Sequence, residues 1–162
     1  MRHRWIALVV AAAAATAVPG PASAVSAASA TPLVLASSAP PRHGGLQRRP
    51  AQIVYSGDGA AYFAGATRGR HRLRWTQYTP TSGRAAGADW HNDCQPDCVD
   101  GHFHAYRAAL HVYRPRRLGG FRVFTRMAVR YSSMLPPLPA SRRTMTFRLR
   151  YDTRARTYFW ID

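Results

Sequence analysis

Both cysteines of the chain, Cys94 and Cys98, lie in its densest chemical stretch, among Asp89, His91, Asp93, Asp97, Asp100, His102 and His104. Two chemistries suit such a set. Three intervening residues with one proline can bend until the cysteine Cα atoms approach to roughly 4.4–6.8 Å, the span a disulfide bridges, and an exported chain meets no reductant to keep the thiols apart. The rival is a metal centre, with His102 and His104 two apart on a strand and both imidazoles on one side. A structural zinc site needs four ligands at suitable spacing, and paired CxxC signatures are absent. A Cys94–Cys98 disulfide is therefore expected, and no metal or cofactor is assigned. So short a loop contributes roughly 2 kcal/mol by loop entropy, enough to pin a turn.

Catalytic patterns are missing. No nucleophile elbow, phosphate loop or HExxH occurs, and without glutamate a general acid or base would have to be Asp or His. Asp100, His102, His104 and His111 are the set available, and His111 has the opposite strand parity from the histidine pair. No catalytic residue is assigned, and a metal-dependent His/Asp hydrolase is the weakest alternative.

The charge is more informative. All 23 basic residues are arginine and all 7 acidic ones aspartate, giving a formal charge of +16. A GC-rich genome would write arginine for lysine, but it would not create the excess of bases over acids. A surface of this kind attracts polyanions, with an affinity that falls as salt screens it. From Phe121 to Tyr131, apolar residues and threonine alternate with Arg122, Phe124, Arg126, Ala128 and Arg130, the period of a half-buried strand. Met145, Phe147, Leu149 and Tyr151 alternate in the same way with Thr144, Thr146, Arg148 and Arg150. If the two strands pair, Arg122, Arg126, Arg130, Arg148 and Arg150 share a solvent face. The guanidinium fork suits phosphate and carboxylate. The expected function is a non-catalytic binding module for anionic extracellular or cell-envelope material, such as a cell-wall polymer. A secreted protease inhibitor is the alternative, although the second disulfide that would brace such an inhibitor is missing.

The elements that must position these residues read as strands: Gln52 to Ser56, Ala60 to Ala64, Leu73 to Tyr78, His102 to Arg114, Phe121 to Ser132, Thr144 to Tyr151 and Arg156 to Ile161. Turn residues bound them, as in Ser56-Gly57-Asp58-Gly59 and Leu118-Gly119-Gly120. Short strands without an amphipathic helix imply an all-β fold: a single small antiparallel β-sandwich, with a small β-barrel as the alternative. Trp75, Trp90 and Trp160 are expected in or beside its core.

This domain is assigned to 51–162, after a flexible Ala/Ser/Pro/Arg-rich lead-in at 25–50. Residues 1–24 read as a signal peptide: a basic start, an apolar run from Trp5 to Val18, then Pro19-Gly20-Pro21 and Ala22-Ser23-Ala24. The run is shorter than the roughly 20 residues of a permanent membrane span, so cleavage would leave a secreted protein without stable membrane insertion.

The segment Asn92-Asp93-Cys94-Gln95-Pro96-Asp97-Cys98-Val99-Asp100-Gly101, with the Trp75 strand before it and the strands to Tyr131 after it, resembles a group of small secreted two-cysteine proteins of actinomycetes. Val99 stands where those proteins often have alanine. The resemblance implies export and a two-cysteine β domain, and it carries over no catalytic residue.

Overall fold

The structure, a computed structural model, describes residues 31–37, 45–67, 71–137 and 142–162. The expected signal peptide at 1–24 lies outside the described residues. The chain is all-β. Its strands are β1 (Val34–Leu35), β2 (Leu46–Gln47), β3 (Ile53–Val54), β4 (Ala61–Ala64), β5 (Arg74–Tyr78), β6 (Ser82–Asn92), β7 (Phe103–Leu118), β8 (Phe121–Tyr131), β9 (Thr144–Asp152) and β10 (Thr157–Ile161). Eight of them form one antiparallel sheet in the order β10-β9-β8-β7-β6-β4-β3, with β5 also paired to β6, while β1 and β2 form a separate two-stranded sheet.

The large sheet is curled, and its inner face wraps the core. Along β7 the even positions Ala108, Leu110 and Val112 are buried, as are Met127, Val129 and Tyr131 on β8 and Phe147 and Leu149 on β9. The odd positions of β7 face outward. Period two thus becomes a two-sided sheet, as the alternation requires. The two-sheet layout is very unequal, with the small sheet filling the hollow of the large one.

That filling corrects the expectation for 25–50. Val34 and Leu35 are fully or almost fully buried in the core cluster, with Leu33 and Leu46 packed against it. The segment is also held by its backbone: Leu33 N–H donates to Arg122 O at 2.9 Å, Phe124 N–H to Leu33 O at 2.9 Å, and Val54 N–H to Ala36 O at 2.7 Å. A curled sheet leaves a hollow that needs apolar side chains, and these few leucines and a valine supply them. The folded unit therefore includes residues 31–37 and 45–50, and it does not start at 51.

Strand β6 is absent from the expected strands, yet it is central, pairing with β4, β5 and β7. Its first eight residues, Ser82 to Asp89, are small or polar and carry no β-branched or aromatic signal. The reason is steric. A Cβ at Gly83 would sit 2.9 Å from Val112 Cγ2 and 3.0 Å from the rings of Trp75 and Tyr78, and one at Gly87 would collide with Ala64 O. Small residues are what let β6 approach its neighbours at the bend.

The tryptophans close the core as expected. Trp90 Nε1–H donates to Gly65 O at 2.9 Å, Trp75 Nε1–H to Pro50 O at 2.9 Å and Trp160 Nε1–H to Leu35 O at 3.2 Å. Trp90 and Trp160 are buried and Trp75 is partly buried against the core, and each satisfies its one donor on a backbone carbonyl.

Candidate functional site

Strands β8 and β9 pair antiparallel, with Arg126 directly opposite Arg148 and Arg130 opposite Thr144. Like charges placed opposite one another destabilise a sheet, so this pair needs a reason. Next to it the regular pattern breaks. Arg114 on β7 has φ 53°, the left-handed region that a non-glycine residue enters at a cost of about 1–2 kcal/mol. Thr125 Oγ1–H donates to Arg114 O at 2.7 Å and holds the distortion in place. Beyond the break the alternation of β8 fails, and Val123 and Phe124 are both fully buried.

The break opens a groove of about 260 Å³ lined by Arg114, Arg116, Arg126, Arg148 and Arg150, with Thr125 between them. Among the described residues no aspartate forms an ion pair with any of the five. Desolvation, then the charges of Arg148, Arg114 and Arg150, lower the Arg126 guanidinium from its ordinary value. Strained backbone that gathers uncompensated charge is typical of a binding site. Chemically, the groove offers several planar forks to an anion.

Of the five arginines expected to act together, Arg126, Arg148 and Arg150 meet here. Arg130 is exposed on the same outer face, about 13 Å along the strand from Arg126 and outside the groove. Arg122 departs from the expected face: it lies past the break, and its Nη2 donates to Pro80 O at 3.1 Å in the β5–β6 turn. Arg114 and Arg116 belong to the groove but were not expected there. Unbroken alternation along β7 would have separated Arg114 from Tyr113 and Arg126, and only the left-handed residue changes that.

The cysteine segment forms the tip of the β6–β7 hairpin. Cys94 and Cys98 are bonded at an S–S distance of 2.02 Å, which removes both thiolates from any metal set. Their Cα atoms are 3.8 Å apart, closer than the range expected, in a turn that runs through Cys94 at φ 50° and a cis Gln95–Pro96 bond. Asn92 accepts from Cys94 N–H and donates to Cys98 O, while Asp97 accepts from Val99 and Asp100 N–H. Asp93 meets His104 Nε2 at 3.0 Å and accepts from His102 N–H at 2.8 Å. The His104 hydrogen bond first, then that of His102, holds the Asp93 carboxyl down at about 2. His102 and His104 do not act as a pair: His102 precedes β7, and His104 is occupied by Asp93. Among the described residues no three His, Cys or Asp side chains are grouped to hold a metal.

A second polar cluster lies inside the sheet. Asp89 on β6 is fully buried. Its Oδ2 accepts from Tyr131 Oη–H at 2.6 Å and lies 2.9 Å from His91 Nε2, and its Oδ1 accepts from Tyr55 Oη–H at 2.9 Å. Tyr55 Oη is also 3.0 Å from His91 Nε2. In a flat sheet β8 and β3 would each lie two strand spacings from β6, about 10 Å to either side. Here both phenols reach one carboxylate, so the cluster ties the curl across its interior. A catalytic base must reach a substrate proton, whereas this carboxylate is sealed off and engaged by three partners. It is a structural tie, and the sequence signal for it is only the short spacing of Asp89 and His91.

A larger hollow of about 440 Å³ lies over Gly65, Gly87 and Ala108 with Arg72, Arg74 and Arg107 at its rim. Apart from those arginines its lining is glycine, alanine, threonine and serine. The arginine groove is the better-defined site. Compared with family models, curated proteins and solved structures, the chain matches none, so the site is interpreted from its own geometry.

Proposed function

We propose that the protein is a non-catalytic binding module, secreted through its N-terminal signal, that holds anionic extracellular or cell-envelope material in the arginine groove. One observation carries the reading: five arginines line a single groove, and among the described residues none of them is in an ion pair with an aspartate. A protein that needed only net charge would spread its arginines, since clustering them costs repulsion. An anion entering the groove relieves that repulsion. The Cys94–Cys98 disulfide supports the exported setting, because such bonds persist in oxidising compartments.

The test is retention on immobilised heparin across a salt gradient. The parent should remain bound at physiological salt and elute as salt rises. Arg126→Ser, Arg148→Ser and Arg150→Ser combined should elute well before it, while the same triple change at Arg72, Arg74 and Arg107 should move elution less. Elution of both triple variants at the same salt would reduce the groove to bulk charge.

A further inference from the structure

Charge alone would serve any polyanion, but aromatic rings stand on the same outer face in line with the arginines. Across the sheet, Tyr113 on β7 is the Cα partner of Arg126 on β8, Arg126 of Arg148 on β9, and Arg148 of Ile161 on β10. One step along, Arg150 is the partner of Phe159. The row from β7 to β10 thus runs ring, arginine, arginine, isoleucine, and the second ring, Phe159, stands two residues along β10 beside Arg150, about 16 Å from Tyr113 on the diagonal. The Tyr113 ring is stacked on His111 at 4.9 Å and 21° between planes. Burial, and then the charge of Arg84, lower the pKa of His111 and so favour its neutral form. On the far side Phe159 is 37% exposed, although its neighbour Trp160 is buried. The exposed part of the Phe159 ring stands on the same sheet face as its partner Arg150.

We infer that the ligand of the groove is single-stranded nucleic acid, with phosphates on Arg126, Arg148 and Arg150 and bases stacked on the Tyr113–His111 pair and on Phe159. This rests on the reading of the groove as an anion site. Sequence-tolerant single-strand binders combine a basic groove that tracks the backbone with aromatic platforms for successive bases. A sheet surface can offer such a platform because alternate side chains stand upright on it. Polyphosphate has no rings to use Tyr113 and Phe159, and a duplex keeps its bases paired and stacked away from them.

The experiment measures anisotropy of a labelled 15-residue oligothymidylate with the full-length, disulfide-bonded protein, with inorganic polyphosphate as competitor. Tyr113→Leu and Phe159→Leu keep apolar bulk but lose the flat ring, and each should weaken oligothymidylate binding about tenfold. Neither should alter retention on heparin, and duplex DNA of equal length should bind less tightly than the single strand. If both leucine variants bind oligothymidylate like the parent, the base-stacking inference is overturned while the anion site stands. If the triple serine variant at Arg126, Arg148 and Arg150 also binds heparin and oligothymidylate like the parent, the anion site falls with it.

Discussion

Replacing Tyr131 with phenylalanine deletes one oxygen, the donor of the 2.6 Å hydrogen bond to Asp89 Oδ2, and leaves the ring in the core. A hydrogen bond to a charged partner is worth about 1.5–3 kcal/mol. Asp89 would keep His91 on Oδ2 and Tyr55 on Oδ1, so its charge is not stranded, and the phenol's own desolvation cost disappears. The expected loss is about 2 kcal/mol, or roughly 6–8 °C in Tm for a domain of this size. The internal reference is Tyr158→Phe, the same atomic deletion where the hydroxyl donates to a neutral acceptor, Leu118 O at 2.6 Å. That change should cost about 1 kcal/mol. Thermal melts followed by circular dichroism at pH 7 compare the two. A Tyr131→Phe protein as stable as the parent, or no less stable than Tyr158→Phe, would refute the claim that Asp89 ties the curl together.

The same cluster sets a limit at alkaline pH. Burial first, and then the Asp89 charge, raise Tyr55 and Tyr131 well above their ordinary value of 10.0. The unfolded chain releases these protons above about pH 10 while the folded one retains them, so stability is intact below that pH and falls as pH rises past it. Each tyrosine steepens the fall by up to about 1.4 kcal/mol per pH unit; urea unfolding between pH 9 and 11 should show a shallower decline for Tyr131→Phe, and equal slopes would count against the tie. At the hairpin tip, changing Cys94 and Cys98 together to serine should cost roughly 2 kcal/mol or less by loop entropy, since the Asn92 and Asp97 hydrogen bonds persist. Because the tip and the groove lie at opposite ends of β7, heparin retention of that variant should equal the parent's, and an altered elution salt would show that the loop takes part in binding.

Local pattern carried much of this molecule. Period-two alternation on β8 and β9 foretold two half-buried strands and a shared arginine face, because one strand side must be apolar to be buried. Three tryptophans foretold core positions, and two cysteines with three residues between them foretold their bond, since a closed loop that short is within reach of any turn. Strand β6 was illegible for the opposite reason: glycine and alanine appear there because Val112, Trp75 and Ala64 crowd against it, and that crowding exists only after the sheet has curled. The core role of Val34 and Leu35 depends on the hollow the curl creates. Asp89, His91, Tyr55 and Tyr131 are separated in sequence by as many as 76 residues, on β6, on β8 and just after β3, and no spacing rule joins them. The groove divides in the same way. Arg126 facing Arg148 follows from parity and pairing, whereas the entry of Arg114 and Arg116 and the departure of Arg122 hang on one left-handed residue, whose conformation is fixed by a hydroxyl on the neighbouring strand.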